Sequence, residues 1–362
     1  MLIKKLDRRS FLKLSAMAGI GIGTPLYEFL EWRMASAQAK SMTAAYSNNG
    51  LDASWCAQGK DVVEYYAGLM NITIEWQDPA HDAAKQRAIF DQFATKKYDF
   101  VGVQPVSIST LNEPATTMIK AGTPMVIIDT LLAPFKDQQA MGVLTFMSCD
   151  NIILGEGVAT VLANKIGGKG SVARIGGQAG HTGAQGRGQG FHNIFDPLVK
   201  SGAVKIVAEE PADWNTDKAA NLTQTLVTKY PDLGAIFYDN DDMALAGLKV
   251  VTDAGKDKTV FLGGIDAMQP AIEAVVAGKY AVTARNSAGR VHGWSVVVGA
   301  YGATVGLEKA RAEIPAWLMV DGPTITAADA GDPTLVDKPW LIKGLGVGSA
   351  AGQLWLENNH LF

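Results

Sequence analysis

Polar side chains directly follow several predicted strands, where together they could bind a small molecule rich in hydroxyl groups. The residues at these strand ends are Gln104, Asp129, Asn240, Asp266 and Asn286. Carboxylates accept hydrogen bonds and amides both donate and accept them, which suits hydroxyl groups that also do both. Each residue alone could instead cap the helix that follows it, since Asp and Asn are favoured at that position. Their recurrence in both halves of the chain favours the ligand-binding interpretation.

The elements that must position these residues alternate along the chain. From Lys40 onward, short apolar runs alternate with amphipathic stretches, a pattern typical of βαβ units and a parallel sheet. The predicted strands are 72–76, 100–103, 125–128, 144–147, 171–175, 204–208, 235–238, 260–265 and 281–283. The predicted helices are 60–70, 81–95, 107–121, 184–201, 217–230 and 241–254. The second half repeats the plan of the first in order and length.

The length of the chain predicts two lobes. About 320 residues remain without the first 39, more than one hydrophobic core usually holds. The fold class predicted is therefore α/β, with two Rossmann-like lobes built on parallel sheets. In open sheets of this kind, ligands bind outside the carboxyl ends of the strands, where the connecting loops converge.

The first 39 residues have the pattern of an export signal. A basic start precedes an apolar run at 14–26, which is too short for a membrane span of roughly 20 residues. Residues 7–13, Asp-Arg-Arg-Ser-Phe-Leu-Lys, resemble the twin-arginine export motif. Residues 35–37 and 37–39 offer Ala-x-Ala cleavage sites, although charges at 28, 31 and 33 leave the cleavage point open. A periplasmic location, reached by the twin-arginine pathway, is predicted.

Charge and cysteine content exclude several classes of protein. Residues 1–39 hold six of the 32 Lys and Arg residues and three of the 36 Asp and Glu residues, so the remainder has a net charge of −7. Nucleic acids and anionic membranes reward basic patches instead. A disulfide between Cys56 and Cys149 is permitted in an oxidising compartment but not required. The five histidines lack metal-ligand spacing and no G-x-S-x-G elbow occurs, so neither a metal nor enzyme activity is predicted.

A glycine-rich stretch at 180–190 could suggest a phosphate loop, since it follows a strand and precedes a helix. It contains no Gly-Lys-Ser or Gly-Lys-Thr and no G-x-G-x-x-G pattern. A nucleotide, or any other cofactor, is therefore not predicted.

Four segments resemble the ribose-type periplasmic sugar-binding proteins of ABC importers, the type I periplasmic binding proteins. The most specific is 235–246, AIFYDNDDMALA, an apolar strand followed by Asn-Asp-x-Met-Ala. The others are Cys-Asp-Asn at 149–151, Gly-Gly-Ile-Asp at 263–266 and Pro-Ala-Asp-Trp at 211–214. The resemblance covers about Thr43 to Val320 and implies two lobes joined by a hinge of three crossings.

The resemblance also implies which residues bind the ligand. Trp55 and Trp214 would sandwich the sugar ring or carbon chain, while polar groups from both lobes and the hinge bond its hydroxyl groups. The ligand-binding residues implied are Trp55, Gln104, Asp129, Gln185, Trp214, Asn240, Asp266 and Asn286. Large aromatic residues are also common as simple core residues, which leaves a structural role open for both tryptophans.

Three positions depart from the family pattern. Thr130 and Gln185 stand where the family has arginines, and Ile265 stands where it has an aromatic residue. Only the second arginine of the glycine-rich stretch, usually structural, is kept, as Arg187. These departures argue against ribose itself and favour a polyol or another pentose.

The implied domain organisation divides the chain into four parts. After the signal peptide 1–39, the first lobe comprises 40–148 and 286–310, and the second lobe comprises 149–285 and 311–326. A tail at 327–362 would pack on the lobes, or else contact the importer or a second copy.

The function implied by the resemblance is solute capture for import. The protein would bind a small sugar or sugar alcohol between its lobes, close about a hinge and deliver the ligand to an ABC transporter permease. It would act as a monomer without nucleic acid or cofactor. The alternative is a ligand-sensing module for a membrane chemoreceptor or sensor kinase, which would use the same cleft.

Overall fold

Two β-sheets, each covered by helices on both faces, make up the described part of the chain. The computed structural model describes residues 40–320 and 322–330. Across the first sheet the strands lie in the order β11 (Trp317–Met319), β5 (Thr145–Ser148), β4 (Met125–Ile128), β3 (Phe100–Val103), β1 (Met42–Ser47) and β2 (Ile72–Trp76). Across the second they lie in the order β12 (Thr324–Thr326), β10 (Val282–Ala284), β9 (Phe261–Ile265), β8 (Leu233–Tyr238), β6 (Gly170–Gly176) and β7 (Val204–Pro211).

Neighbouring strands are parallel throughout, except that β12 runs antiparallel to β10. Both sheets therefore have the same doubly wound order, with one further strand from the end of the described chain added at the edge. In each sheet the direction of winding reverses next to its first strand, between β1 and β3 and between β6 and β8. Loops at such a switch point leave a crevice in which a ligand can bind.

The helices connect the strands and cover both sheets. They are α1 (Ser54–Leu69), α2 (Ala83–Phe93), α3 (Asn112–Lys120), α4 (Phe135–Met141), α5 (Asn151–Lys165), α6 (Thr182–Lys200), α7 (Thr216–Lys229), α8 (Asp241–Asp253), α9 (Gln269–Val276), α10 (Ala288–Val305) and α11 (Leu307–Glu313). Short apolar strands such as β3 and β4 are buried over their whole length because helices cover both of their faces. The two-lobed α/β fold predicted from the sequence is confirmed.

The chain passes between the sheets three times, after β5, after β10 and after β11. The second lobe was expected to include 311–326, but β11 lies in the first sheet, parallel to β5. Trp317 packs on Phe135 and Phe146 of the first lobe. The third crossing therefore lies between Met319 and Thr324, and only the part of 311–326 from Thr324 onward joins the second sheet.

Two of the predicted segments lie at the chain termini. The predicted signal peptide at 1–39 and most of the predicted tail, from residue 331, lie outside the described residues. Within the described range, the tail begins with a short 3₁₀ helix, Ala327–Asp329, directly after β12. No helix of the described residues is long and apolar enough to cross a lipid bilayer.

Candidate ligand-binding site

A cavity lies between the lobes at the carboxyl ends of the strands of both sheets. The empty space inside it is about 340 Å³ when its opening to solvent is included. The residues that line it are Asn49, Ala53, Trp55, Cys56, His81, Gln104, Asp129, His181, Arg187, Trp214, Asn240, Asp266 and Asn286.

The structure brings most of the predicted site residues to this cavity. Trp55, Gln104, Asp129, Trp214, Asn240, Asp266 and Asn286 line it. Gln185 does not line it, because it lies on an exposed face of α6. Arg187, two residues further along the same helix, is buried and faces the cavity instead. The expectation that Gln185 stands at the ligand position therefore needs correction.

The first lobe presents a carboxylate held by neutral amides. The Asp129 oxygens accept hydrogen bonds from Gln104 Nε2 at 3.2 Å and from Asn286 Nδ2 at 3.1 Å. Gln104 is fixed in turn, because its Oε1 accepts from the backbone N–H of Asn49 at 3.2 Å. Among the described residues, Asn49 Oδ1 and Asn286 Oδ1 are buried and have no hydrogen-bond partner. Buried acceptors of this kind are costly unless a donor from a ligand or water meets them.

The second lobe presents a carboxylate beside a guanidinium. Arg187 Nη2 lies 3.4 Å from Asp266 Oδ1, and both side chains are almost fully buried. Other Arg187 nitrogens donate to Asn151 Oδ1 at 2.9 Å and to the backbone carbonyl of Asp239. Burial raises the pKa of Asp266 well above its usual value, and the charge of Arg187 offsets this only in part. This half of the site can therefore both donate and accept hydrogen bonds.

Each lobe also contributes a tryptophan with a buried histidine against its ring. Trp55 meets His292 edge-on, with ring centroids 4.7 Å apart, and its Nε1 donates to the backbone carbonyl of Asn286 at 2.7 Å. Trp214 meets His181 edge-on at 4.9 Å. In the described part of the molecule, Trp214 Nε1 is buried without a hydrogen-bond partner. The tryptophans thus face the cavity from opposite lobes.

The two histidines differ in their hydrogen bonds. His181 Nδ1 accepts from the backbone N–H of Ala184 at 3.3 Å, so Nε2 carries the proton and donates to Thr130 Oγ1 at 2.7 Å. His292 Nδ1 donates to the carbonyl of Ala288 at 2.9 Å. Burial lowers the pKa of both histidines to about 4. Both are therefore neutral at physiological pH.

The loops around the cavity have unusual backbone conformations. His81, Asp129, Trp214 and Asp266 have positive φ angles of 62°, 56°, 63° and 124°, although none of them is glycine. Such conformations cost energy and concentrate where side chains must point in a specific direction. Position 177 has no room for a side chain, since a Cβ atom on Gly177 would lie 2.2 Å from the Trp214 ring.

The capping interpretation holds for one of the predicted residues. Asn240 Oδ1 accepts from the backbone N–H of Met243 at 3.0 Å and caps α8, while the residue also lines the cavity. No such capping bond is found within the described residues for Asp129 or Asp266. The neighbouring Asp239 does not line the cavity, and its carboxylate pairs with Arg174 at 2.7 Å.

Several residues that line the cavity were missed by the sequence prediction. Asn49 is the second residue after β1, whereas Gln104 directly follows β3, so the polar residues after the first strand were an available signal. His181 and Arg187 lie in the glycine-rich stretch, where sequence spacing alone does not indicate which side chains face the cavity. Cys56 lies in the wall, and its Sγ donates to Gln104 Oε1 at 3.4 Å. No disulfide joins it to Cys149, whose Sγ donates to the carbonyl of Arg285.

The lobes contact each other at both rims of the cavity. On one rim, the backbone N–H of Ser54 and its hydroxyl donate to the Asp242 carboxylate at 2.9 and 2.7 Å. On the other rim, Thr182 Oγ1 accepts from the backbone N–H of Leu131 at 2.8 Å, beside the contact of Thr130 with His181. The lobes are thus closed over the cavity. No cluster of metal ligands occurs among the residues described.

Comparison with known proteins agrees with this architecture. The family model described as "Periplasmic binding protein domain" matches residues 44–300. The ribose import binding protein of Bacillus subtilis is 27% identical over 248 residues, covering 68% of this chain and 77% of the relative. The xylitol-binding protein of Mycolicibacterium smegmatis is 25% identical over 228 residues, covering 63% of this chain and 62% of the relative.

Solved structures show the same fold. A periplasmic solute binding protein of an ABC transporter from Actinobacillus succinogenes, with bound D-allose, superposes with a TM-score of 0.72 at 25% identity, over 80% of this chain and 99% of that one. A solute binding protein from Mycobacterium smegmatis, with bound glycerol, gives a TM-score of 0.72 at 21% identity, over 80% and 96% of the two chains.

Proposed function

The chain belongs to the periplasmic binding protein family, and on that premise we propose that it is the solute-binding component of an ABC-type importer for a neutral sugar or sugar alcohol. Members of this family bind ligands without transforming them, so the chain is not an enzyme. Its relatives include proteins named for import of ribose and for binding of xylitol.

The observation that carries the proposal is that hydrogen-bond acceptors line the closed cavity from both lobes. Asp129 from the first lobe and Asp266 from the second both line it, and Asn286 joins them from the hinge. Asn49 Oδ1 and Asn286 Oδ1 lack partners in the described part of the chain. A ligand with several hydroxyl groups supplies the donors that these oxygens require.

The charges favour a neutral ligand. Two carboxyl groups line the cavity, and Arg187 is the single guanidinium that does so within the described residues. Arg187 already donates to Asn151, Asp239 and Asp266. A carboxylate or phosphate on the ligand would therefore meet like charges without a free cation to offset them. Sugar acids and sugar phosphates are expected to bind poorly.

The departures from the family pattern favour a flexible ligand. Thr130 stands where the family has an arginine and instead bonds His181. Gln185 also stands where the family has an arginine, but it is exposed and does not line the cavity, so it has no bearing on the ligand. Ile265, in place of an aromatic residue, is fully buried in β9. The cavity thus holds fewer rigid donors than the family pattern implies. We favour a polyol or an atypical pentose over ribose.

The mechanism proposed is closure of the lobes about the three crossings. A ligand bonded by both lobes stabilises the closed form by its greater affinity for that form. The closed monomer would then deliver the ligand to the permease. Relatives described as periplasmic support a periplasmic location, and the motif at 7–13 supports export by the twin-arginine pathway.

A thermal-shift screen tests the proposal. Pentoses, hexoses, four- to six-carbon polyols, a sugar acid and a sugar phosphate are each added to the purified protein, since a ligand that binds only the folded form raises its melting temperature. A neutral compound should raise it, and Asp266→Ala should abolish the rise. The matched control is Asp253→Ala, an exposed carboxylate at the end of α8, which should keep it. A rise with anionic compounds alone, or an unchanged rise in Asp266→Ala, would contradict the site. Loss of growth on the ligand after gene deletion would distinguish uptake from sensing.

A further inference from the structure

Helix α1, which carries part of the cavity wall, begins without a capping side chain of its own. The residue before it is Ala53, which offers no side-chain acceptor, and its first turn contains no acidic residue. The first N–H groups of a helix need acceptors from outside the helix. Two helices that begin beside the cavity in the second lobe differ, because His181 caps α6 and Asn240 caps α8.

The missing acceptor comes from the other lobe. Asp242, in the first turn of α8, accepts from the backbone N–H of Ser54 at 2.9 Å through one oxygen and from the Ser54 hydroxyl at 2.7 Å through the other. Ser54 is the first residue of α1, so this carboxylate caps α1 across the cleft. Hydrogen bonds to an ionised carboxylate are stronger than neutral ones. A negative charge at a helix N-terminus adds a favourable interaction with the helix dipole.

We propose that Asp242 is a positioning residue of the ligand site, which caps α1 only when the lobes are closed and thereby stabilises the ligand-bound form. The proposal rests on the hinge closure of the proposed function. Ala53, Trp55 and Cys56 line the cavity at the start of α1, so the cap fixes the wall that meets the ligand. When the lobes separate, Ser54 and Asp242 part and α1 loses its cap.

The geometry separates this role from ligand contact. Neither Ser54 nor Asp242 lines the cavity. The contacts of the opposite rim, between Thr130 and His181 and between Leu131 and Thr182, are independent of both residues. Removing the cap should therefore change the closing equilibrium and leave the hydrogen-bonding groups of the cavity unchanged.

Replacement of Ser54 by proline removes both donors without altering α8. Proline is favoured at the first position of a helix, where its missing N–H has no partner within the helix. The residue before a proline must be extended, and Ala53 already has φ −75° and ψ 127°. Ser54→Ala removes the hydroxyl donor alone. Asp242→Ala removes the acceptor, as a second route to the same loss.

The matched control is Thr216→Pro, a proline at the first position of α7 in the second lobe. Asn215, before it, is also extended and caps α7 by accepting from the N–H of Lys218, which the substitution leaves in place. The ligand probe is whichever of D-ribose, D-allose, xylitol or glycerol most raises the melting temperature of the wild type. Dissociation and association rates are measured by stopped-flow tryptophan fluorescence.

The cap predicts that its loss accelerates dissociation of the ligand and leaves the association rate unchanged. Ser54→Pro and Asp242→Ala should each dissociate the probe about 10-fold faster, and Ser54→Ala about 3-fold faster, as expected for the loss of hydrogen bonds to a charged group. The association rate and the melting temperature of ligand-free Ser54→Pro should match the wild type. Thr216→Pro should leave both rates unchanged.

Equal dissociation rates for the wild type and Ser54→Pro would overturn the proposal, as would an equal acceleration in Thr216→Pro. If none of the four probes binds the wild type, it is the proposed ligand class that fails. The cap is then tested by the same comparison of rates with whichever compound of the wider thermal-shift screen binds the wild type. Faster dissociation from Ser54→Pro and Asp242→Ala, but not from Thr216→Pro, would support it, and equal dissociation from all four proteins would overturn it.

Discussion

The two lobes place a carboxylate at equivalent points of equivalent sheets, yet they surround it differently. Asp129 follows β4 and Asp266 follows β9. In its sheet, each of these strands lies two positions from the strand that comes first along the chain, which is β1 or β6. Both have positive φ angles. Asp129 accepts from two neutral amides, whereas Asp266 is buried beside Arg187. The repeated fold thus sets where the side chains lie, while the neighbouring residues set their charge and their hydrogen-bonding role.

The tryptophans extend the comparison. Behind Trp55, His292 belongs to the same lobe, whereas behind Trp214, His181 donates to Thr130 of the opposite lobe. The first half-site, which consists of Asp129, Trp55 and their partners, is therefore organised within its lobe and at the hinge. The second half-site, which consists of Asp266, Trp214 and their partners, depends on a buried ion pair and on contacts between the lobes. Substitutions in the second half-site should consequently affect stability and binding together.

The largest effect is expected from removing the guanidinium of the second half-site. Arg187→Met leaves Asp266 buried without its partner, and loss of one member of a buried ion pair costs about 3–5 kcal/mol. Urea denaturation should show that loss in the free energy of unfolding, and calorimetry should show no ligand binding. Asp266→Leu in the Arg187→Met background should recover part of the stability but no binding. Retained binding in Arg187→Met would contradict the role assigned to this half-site.

A smaller effect is expected at the carboxylate of the first half-site. Asp129→Asn keeps the shape but places an amide nitrogen among the amide donors of Gln104 and Asn286. Ligand affinity should fall by about 10- to 100-fold, the value of one or two hydrogen bonds to a charged group. The free energy of unfolding should change by less than in Arg187→Met. A stability loss as large as that of Arg187→Met would show that the half-sites do not differ in this way.

The buried histidines predict a loss of stability in acid. The pKa of His292 is lowered to about 4 by burial, so between pH 6.5 and 4 the unfolded chain binds a proton that the folded protein does not. The free energy of unfolding therefore falls as the pH falls through this window, by about 2–3 kcal/mol at pH 4.5. His292→Leu should remove this contribution. The check is the difference between wild type and variant at pH 7 and pH 4.5 by urea denaturation.

The free energy of unfolding is compared between the wild type and His292→Leu at each pH because buried carboxyl groups change its pH dependence in the opposite direction. Burial raises the pKa of Asp241 to about 7 and raises that of Asp266. These groups bind protons in the folded state and so favour folding in acid, equally in both proteins. A wild-type minus variant difference that does not change with pH would mean that His292 is not buried as a neutral group.

The smallest effect is expected at Gln185. Because its side chain is exposed on α6, Gln185→Ala should change the ligand dissociation constant by less than about 2-fold and the free energy of unfolding by less than about 0.5 kcal/mol. Isothermal calorimetry provides the first measurement. A loss of 10-fold or more would place Gln185 in the second half-site after all.

The sequence predicted those residues of the cavity that follow the ends of strands. Gln104, Asp129, Asn240 and Asp266 each follow a short apolar run, and parallel strands bring such positions to one edge. Gln185 and Arg187 could not be distinguished in the same way, because two residues along a helix differ by about 200° in direction. Which of the two faces the cavity depends on where α6 begins, and His181 sets that point by capping it.

Parts of the fold also escaped prediction for physical reasons. Helix α10 is buried along almost all of its length, so its apolar residues show no stripe that would mark one face. Strand β11 consists of three residues, and its place in the first sheet depends on pairing with β5, far away in sequence. Local periodicity contains no information on such long-range pairing, which is why the whole of 311–326 was expected in the second lobe.

Gly177 influences the size of the cavity through its contact with the Trp214 ring. Any larger residue there would displace the Trp214 ring, because a Cβ atom would overlap it, although Gly177 itself does not line the cavity. A single substitution at this glycine would therefore change the room that is left for a ligand beside Trp214. Selection for a ligand of one size would in turn oppose substitution of this glycine. The residue found at this position in descendant proteins would then reflect the size of their ligand.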